Sequence, residues 1–275
     1  MTDISDREEF LAKERYGTAD LLRIVSILRA PGGCPWDAEQ THVSIRKNFI
    51  EETYEAIEAI NRQDDGLLCE ELGDVLLQLA LHTQMAQERG AFAWEQVTDG
   101  ICRKLIERHP HVFGSVEVDS VGQVLRNWDE IKRRSKGQNT VASAMEHVPR
   151  ELPALMRAGK IRQKAAAKVG LDHKDIFAAL EALEDEVREL RKAADRGDQA
   201  YCSDVLGDVL FAAVDASRFL KGGDAEELLT QATDRFQRRF ARMEASAKAH
   251  GIDFAQVAGD MLGRLWEEAK ALEQE

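Results

Sequence analysis

The sequence Leu-Gly-Asp-Val-Leu occurs twice in the chain, starting at Leu72 and again at Leu206, an offset of 134 residues. The same shift carries Glu52 onto Glu186, which is a glutamate again. Other matches at nearly the same offset join Glu55 to Glu189, Lys104 to Arg235, Arg108 to Arg239 and Trp128 to Trp266. Matches that keep their order are hard to obtain by chance, and we interpret them as a tandem duplication of one domain. The period is too long for a solenoid, whose repeats are about 20–50 residues.

The hydrophobic residues recur with the period of an α-helix along most of the chain. Helices are predicted over residues 18–30, 42–62, 67–89, 93–109, 121–134, 153–168, 174–196, 199–220, 224–249 and 253–273. Sustained alternation of apolar and polar residues between turn residues is missing from the sequence, so we predict no strands. The fold class expected is therefore all-α, built from two related helical-bundle domains in tandem.

The domain boundary is predicted from a polar segment with sequence KRRSKGQNTVASAMEHVPRELP, which contains Gly137, Pro149 and Pro153. Polar segments interrupted by glycine and proline are typical of connections between domains. We predict a first domain over 1–137, a linker over 138–152 and a second domain over 153–275.

Charge and cysteine spacing exclude several classes of protein. With 37 Lys+Arg against 50 Asp+Glu, the net charge of −13 disfavours a nucleic acid polymer as partner, since such proteins present a basic surface. The 4 cysteines form no Cys-x-x-Cys pair, which argues against a zinc ribbon. The first residues do not resemble a signal peptide, and no apolar run is long enough to span a membrane. We expect a cytoplasmic protein without membrane contact.

The acidic stretch EETYEAIEAINRQDDGLLCEELGD, residues 51–74, contains carboxylates of two kinds. On a helical wheel, Glu52 falls inside a broad apolar arc and Glu55 lies at its border, three residues away on the same face. In the next helix, which is apolar on nearly every side, Glu71 and Asp74 project among apolar neighbours. The acids predicted to be solvated instead are Glu51, Glu58, Asp64, Asp65 and Glu70.

Buried carboxylates that stay ionised and unpaired cost several kcal/mol, so they must be neutralised, paired or bound to a cation. For Glu71 and Asp74 taken alone, a buried salt bridge explains the pattern as well as a metal does. Four acids that face one interior from two helices favour a hard divalent cation, which prefers oxygen ligands. We predict Mg²⁺, with Mn²⁺ as a substitute. A di-iron carboxylate site is disfavoured, because it requires two Glu-x-x-His motifs and only Glu39 to His42 fits.

These carboxylates form a pattern, Glu-Glu-x-x-Glu from Glu51 followed by Glu-x-x-Asp from Glu71, that resembles the signature of the all-α nucleoside triphosphate pyrophosphohydrolases. Within that superfamily the chain resembles the tandem-domain MazG family over nearly its whole length after about residue 17. The supporting stretches are GGCPWDAEQTH (32–42), KLIERHPHVFG (104–114), NWDEIK (127–132) and VPRELPALMRAGKIRQKAA (148–166).

The resemblance implies Mg²⁺-dependent hydrolysis of NTPs and dNTPs to the monophosphate and diphosphate, in a helical bundle that forms a homodimer. It also implies a house-cleaning role in the nucleotide pool. Carried over by position, Glu52, Glu55, Glu71 and Asp74 match the catalytic metal ligands. Lys104, Arg108 and Trp128 match nucleotide-binding positions.

The second half departs from this pattern at one ligand position. Glu186, Glu189 and Asp208 match, but Val205 stands where the first half has Glu71, and the neighbouring Asp204 points about 100° away. The first domain is therefore expected to carry the chemistry. The second is expected to serve folding and dimerisation, with weak nucleotide binding through Arg235, Arg239 and Trp266.

Several single residues have two interpretations. Trp36 could stack on a nucleobase, although packing in the core is the more common role of a lone tryptophan. Lys104 and Arg108 suit phosphates but could be exposed helix cations without function. His109 and His111 flank Pro110, which ends a helix, and we expect them to cap or pack that helix end. The competing functions for the whole chain are a non-catalytic nucleotide or metal sensor and a helical assembly module.

Overall fold

The computed structural model describes residues 10–135, 140–169, 172–254 and 259–272, without the side chains at 129, 133 and 167–169. The helices are α1 Thr18–Arg29, α2 Pro35–Glu39, α3 Arg46–Arg62, α4 Asp65–Glu88, α5 Trp94–Arg108, α6 Pro110–Phe113, α7 Val121–Ser135, α8 Val141–Glu146, α9 Ala154–Val169, α10 Ile176–Asp195, α11 Gln199–Ser217, α12 Ala225–Ala249 and α13 Asp260–Ala271. Within those ranges no strand occurs, which confirms the all-α class. None of the described helices is long and apolar enough to cross a bilayer.

The chain divides into two compact units, Met1–Ile131 and Lys132–Glu275, a few residues before the predicted boundary at 137. The segment 138–152, predicted as a linker, contains α8, which packs against α9. Thr140 begins this helix by accepting a hydrogen bond from the Ser143 amide (3.0 Å), and Ala144 is buried. These contacts make α8 part of the second unit rather than a connection. The position of the predicted boundary itself lies outside the described residues.

Two helices of the first unit, α3 and α4, are joined by a tight turn. Gln63 ends α3 in the left-handed conformation (φ 56°), and Asp64 begins α4 by accepting hydrogen bonds from the amides of Gly66 and Leu67 (3.1 and 3.0 Å). Ala59, near the end of α3, is fully buried. Such small residues at a helix contact let the two helices approach closely.

The second unit repeats this turn at the offset seen in the sequence. Gly197 adopts the left-handed conformation (φ 70°), and Asp198 begins α11 by accepting a hydrogen bond from the Tyr201 amide (3.0 Å). Ala193, the counterpart of Ala59, is fully buried as well. The helix pairs α3–α4 and α10–α11 thus have the same local construction.

The core of the first unit lies where α1 packs on the C-terminal half of α4, and it differs from the predicted apolar arc of α3. The core residues are Val25, Ile45, Ala80, Leu81 and Met85. On α3 itself Ile50, Ile57 and Ile60 are exposed, because the helix turns only its alanine stripe toward α4. The N-terminal half of α4 is also less buried than predicted, with Leu72 exposed.

The second unit contains an ionic network where the first has apolar side chains. Asp215 occupies the position equivalent to Leu81 and is buried. It accepts hydrogen bonds from Arg162 and from Arg218 and lies 3.2 Å from the Nε2 of His173. Burial alone would raise the pKa of Asp215, but the hydrogen bonds and charges of the two arginines outweigh it and hold the pKa below its usual value.

Removing the Asp215 carboxylate should destabilise the second unit strongly. Asp215→Ala leaves Arg162 and Arg218 half-buried without their shared partner, a change that costs about 3–5 kcal/mol. Urea unfolding followed by circular dichroism measures the loss. The matched control is Asp185→Ala, which breaks an exposed pair with Arg188 and should cost less than about 1 kcal/mol.

The pH dependence of this effect follows from the lowered pKa. The stabilisation is fully present above the usual aspartate value of 3.8 and is lost as the pH falls through the lower folded-state value. The stability difference between wild type and Asp215→Ala should therefore be constant from about pH 7 to pH 5 and narrow only in stronger acid. If the stability difference between wild type and Asp215→Ala already narrows between about pH 7 and pH 5, the ionic network around Asp215 does not account for it.

Candidate metal and nucleotide site

Three carboxylates from α3 and α4 meet on the first helix pair. Glu52, Glu55 and Glu71 each offer an oxygen atom, and these oxygens all lie within 4.8 Å of one another. The spacing of three residues places Glu52 and Glu55 on one face of α3. The tight turn at Gln63 then brings α4 back alongside α3, so that Glu71 faces them. Glu52 and Glu71 are half-buried, whereas Glu55 is exposed.

The electrostatics of this cluster are repulsive. The pKa of Glu52 is raised by burial first, and then by the charges of Asp74 and Glu55. The pKa of Glu71 is likewise raised by burial and then by Glu55 and Asp74. Every charge that shifts these two pKa values belongs to another carboxylate. The cluster is therefore short of positive charge.

Asp74, the fourth predicted ligand, is a near neighbour of the cluster rather than one of the three closest carboxylates. It lies on α4 about one turn beyond Glu71 and is half-buried. Its charge contributes to the raised pKa of both Glu52 and Glu71. The negative charges of Glu55 and Asp74 therefore act on both Glu52 and Glu71.

The donor set fits a hard divalent cation. All donors are carboxylate oxygens, which suit Mg²⁺ or Mn²⁺ better than zinc. A cation would also supply the positive charge that the raised pKa values of Glu52 and Glu71 show to be missing. A buried salt bridge, the alternative left open by the sequence, does not account for Glu71, because the charges that act on its pKa are all acidic.

The acids predicted to be solvated behave differently from the cluster. Glu51 is exposed and pairs with Lys47 (2.8 Å), and Glu58 is exposed and pairs with Arg62. Asp65 and Glu70 are exposed, and Asp64 caps α4. The acidic stretch therefore divides between surface charges and the inward cluster.

A buried cation lies at the end of α5, which packs against α4. Arg108 is only 8% exposed, and its guanidinium carbon lies 5.2 Å from the ring centroid of Trp128. The Nε of Arg108 is buried without a hydrogen-bond partner among the residues that the structure describes. Lys104, one turn earlier, is exposed. Arg108, unlike Lys104, is therefore not an exposed helix cation.

The second unit has the same cation–aromatic pair. The guanidinium carbon of Arg239 lies 5.6 Å from the ring centroid of Trp266, as expected from the offset that relates them to Arg108 and Trp128. Arg235, the counterpart of Lys104, is exposed. The pairing of an arginine with a tryptophan is thus a property of both units.

The carboxylates of the second unit do not form a matching cluster in the described chain. Glu189 pairs with Lys192 (3.0 Å) and accepts a hydrogen bond from the Tyr201 hydroxyl (3.3 Å), and the pKa of Glu189 is lowered mainly by the Lys192 hydrogen bond. Val205 is buried. The other two acids, Glu186 and Asp208, line a cavity of about 490 Å³ together with Arg162. Glu189, unlike Glu55, is therefore already neutralised by a neighbouring cation.

Two further sequence predictions concern single side chains. Trp36 is 59% exposed, so packing in the core of this chain is excluded, and its indole is available for contact. His109 caps the end of α5, as predicted, with its Nδ1 2.6 Å from the Leu105 carbonyl oxygen. His111 is half-buried beside His109, with 5.7 Å between ring centroids.

Comparison with known proteins places this chain among nucleotide pyrophosphohydrolases. The profile of the MazG nucleotide pyrophosphohydrolase domain matches residues 40–113, a segment that holds the carboxylate cluster, Asp74, Lys104 and Arg108. The nucleoside triphosphate pyrophosphohydrolase/pyrophosphatase MazG of Thermotoga maritima is 42% identical over 251 residues, 91% of this chain and 94% of the relative. The nucleoside triphosphate pyrophosphohydrolase of Escherichia coli K12 is 40% identical over 256 residues, 92% of this chain and 97% of the relative.

A third relative is the uncharacterized protein YabN of Bacillus subtilis, 40% identical over 268 residues, which cover 98% of this chain and 54% of that protein. The identity to the Thermotoga and Escherichia proteins extends over nearly the full length of both. On this similarity, and with the matched domain placed on the carboxylate helices, the chain belongs to the MazG family of nucleotide pyrophosphohydrolases.

Proposed function

We propose that the protein is a Mg²⁺-dependent nucleoside triphosphate pyrophosphohydrolase, which converts an NTP or dNTP and water to the monophosphate and diphosphate. The observation that carries this proposal is the cluster of Glu52, Glu55 and Glu71, with pKa values of Glu52 and Glu71 raised by burial and by other carboxylates. The relatives from Thermotoga maritima and Escherichia coli carry this activity in their names, which supports the substrate class.

The residues that would hold the metal are Glu52, Glu55, Glu71 and Asp74. A bound Mg²⁺ supplies charge neutralisation along the triphosphate and activation of the attacking water. The carboxylates of Glu52 and Glu71 are half-buried, so a low local dielectric strengthens their hold on a cation. Their fixed positions on two packed helices would orient the triphosphate for attack at the α-phosphorus.

The cations of α5 would bind the phosphates that leave. Arg108 is held in place by Trp128 and keeps its Nε donor free among described groups, which suits a phosphate oxygen. Lys104, on the same helix face, adds an exposed ammonium group. Both would stabilise negative charge on the diphosphate leaving group. Trp128 and the exposed Trp36 offer aromatic faces for a base, and stacking tolerates any base.

The first unit would carry the catalysis. The second unit lacks the third carboxylate at Val205, and its Glu189 is already neutralised by Lys192. Its Arg239–Trp266 pair supports a weak nucleotide-binding or structural role for this unit.

Broad specificity would suit removal of non-standard or excess nucleotides. We place the enzyme in the cytoplasm, where the nucleotide pool is.

We also propose a homodimer. Four residues of α3 form an exposed apolar stripe at helical spacing: Ile50, Tyr54, Ile57 and Ile60. A second exposed stripe runs along α5 through Val97, Ile101 and Leu105. Apolar stripes of this length are typical of surfaces that a partner covers, and a second copy of the chain is the partner that the family resemblance implies.

Loss of one metal ligand in the first unit should abolish turnover. Glu71→Ala and Asp74→Ala each remove a carboxylate from the shared field, and pyrophosphate release from NTPs should fall at least about a hundredfold. Asp208→Ala, the matched change in the second unit, should stay within about twofold of wild type. If Asp208→Ala reduces pyrophosphate release as strongly as Asp74→Ala, the second unit takes part in the chemistry. If wild type releases no pyrophosphate from any NTP or dNTP, the proposed function is wrong.

Metal binding should be visible in thermal stability without any substrate. In EDTA, Glu71→Gln should melt about 2 °C above wild type, because it removes a repelling charge. This gain should shrink as the pH falls toward the raised pKa of Glu71, where the wild-type side chain is protonated too. Mg²⁺ should raise the melting temperature of wild type and of the exposed-site control Glu70→Gln, but not of Glu71→Gln. An equal response of all three proteins would exclude the cluster as the metal site.

The dimer is tested by size-exclusion chromatography with light scattering. The expected mass is twice the 30.8 kDa of the chain. Ile60→Glu places a charge in the α3 stripe and should shift the protein to single chains, since a buried unpaired charge opposes association. Asn61→Glu, the exposed neighbouring position, should leave the mass unchanged. A wild-type mass of one chain would contradict the proposal.

A further inference from the structure

Two buried polar atoms of α4 have no hydrogen-bond partner in the described part of the chain: the Oε1 of Gln78 and the Nε2 of His82. Gln78 is only 6% exposed. At 100° per residue, Gln78 and His82 point about 20° to either side of the direction of Glu71. The two residues therefore lie on the same face of α4 as Glu71, further along the helix than the carboxylate cluster.

The hydrogen-bond roles of the pair follow from a chain of contacts. Arg89 can only donate, and its Nη2 lies 2.9 Å from the Nε2 of His42, which must therefore accept. The proton of His42 is then on Nδ1, which donates to the Nδ1 of His82 at 2.8 Å. His82 consequently carries its own proton on Nε2. The pKa of His82 is lowered by burial and by His42, which keeps its ring neutral.

The result is a buried N–H donor at His82 next to a buried oxygen acceptor at Gln78. Unpaired buried groups of this kind are rare because they lose their hydrogen bonds to water without replacement. Phe49 lies beside His82, with 5.7 Å between their ring centroids, and it is on α3 one turn before Glu52. The pair thus adjoins an aromatic wall on the same two helices that hold the carboxylates.

The second unit supplies an internal comparison. At the offset of 134 residues, Glu71 becomes Val205, Gln78 becomes Ala212 and His82 becomes Ala216. The unit that lacks the carboxylate cluster therefore also lacks both unpaired polar groups. The helix pair of the second unit forms without these three polar side chains, so helix packing does not require them. Their absence together from one unit indicates that the three positions bind one ligand in the other.

We propose that Gln78 and His82 bind the nucleoside part of the substrate, an inference that rests on the proposed function of the cluster. Gln78 lies about 10 Å along α4 from Glu71, a step comparable to that from the phosphates of a nucleotide to its sugar and base. The ligand chemistry is a hydrogen-bond acceptor for His82 beside a donor for Gln78. A base edge offers this pair on neighbouring atoms, and a sugar hydroxyl offers it on one.

The test replaces Gln78 with a side chain of similar shape and no oxygen. Gln78→Met should melt at or above the wild-type temperature, because the lost oxygen has no partner in the described chain. Its KM should rise about three- to tenfold, the value of one hydrogen bond, with kcat changed less. Pyrophosphate release is measured with the common NTPs and dNTPs. A rise confined to NTPs identifies the 2′-hydroxyl, and a rise that is equal for every base in both series identifies the 3′-hydroxyl. A rise that follows the base in both series identifies the base edge.

A second variant and a control complete the design. His82→Asn keeps an acceptor toward His42 but removes the Nε2 donor, and it should reproduce the KM change of Gln78→Met. Gln87→Met, exposed on the same helix, should change neither KM nor melting temperature. Unchanged KM values in both site variants would show that the pair holds only a water molecule, and a uniform activity loss that follows a lower melting temperature would show a structural role. Wild-type turnover in the same assay tests the proposed function separately.

Discussion

Repulsion among carboxylates on two closely packed helices is the constraint on which the first unit depends. Ala59 lets α3 and α4 approach, and the left-handed turn at Gln63 reverses the chain so that Glu71 returns beside Glu52. The approach that packs the helices also buries Glu52 and Glu71 in part and concentrates negative charge, and both effects, burial first, raise the pKa of these two groups. A hard cation would relieve this repulsion, and it is the cation on which the proposed cleavage of a triphosphate would depend.

The second unit has the same helix pair without a matching cluster of carboxylates among its described residues. Its turn, its buried Ala193 and its Arg239–Trp266 pair match the first unit. Its charges, however, are balanced by side chains, with Lys192 on Glu189 and two arginines on Asp215. The second unit therefore supplies cations to these carboxylates from its own side chains, whereas the charges that act on the pKa values of Glu52 and Glu71 in the first unit are all acidic.

Local sequence determined most of the helices, since each long helix has an apolar period that a single window reveals. The short helices α2, α6 and α8 escaped prediction because their 5, 4 and 6 residues are too few to show a period. The direction of Glu52 followed from its helical phase alone. By contrast, the apolar arc predicted for α3 includes Ile57, which is exposed, because a period identifies an apolar face but not what covers it. The ionic network around Asp215 includes Arg162, 53 residues away in sequence, and no local pattern indicates that contact.

The two units also separate the demands of folding from those of function within one chain. Val205, Ala212 and Ala216 show that the helix pair forms with an apolar stripe, so folding does not require Glu71, Gln78 or His82. We expect Glu71 to lower the stability of the first unit through repulsion, and Gln78 and His82 to lower it through an unpaired buried atom each. Groups that oppose folding, and that share one stripe, are explained by a ligand that satisfies all of them together. The residues that are expected to destabilise the first unit therefore define the proposed binding surface more closely than the acidic composition of residues 51–74 does.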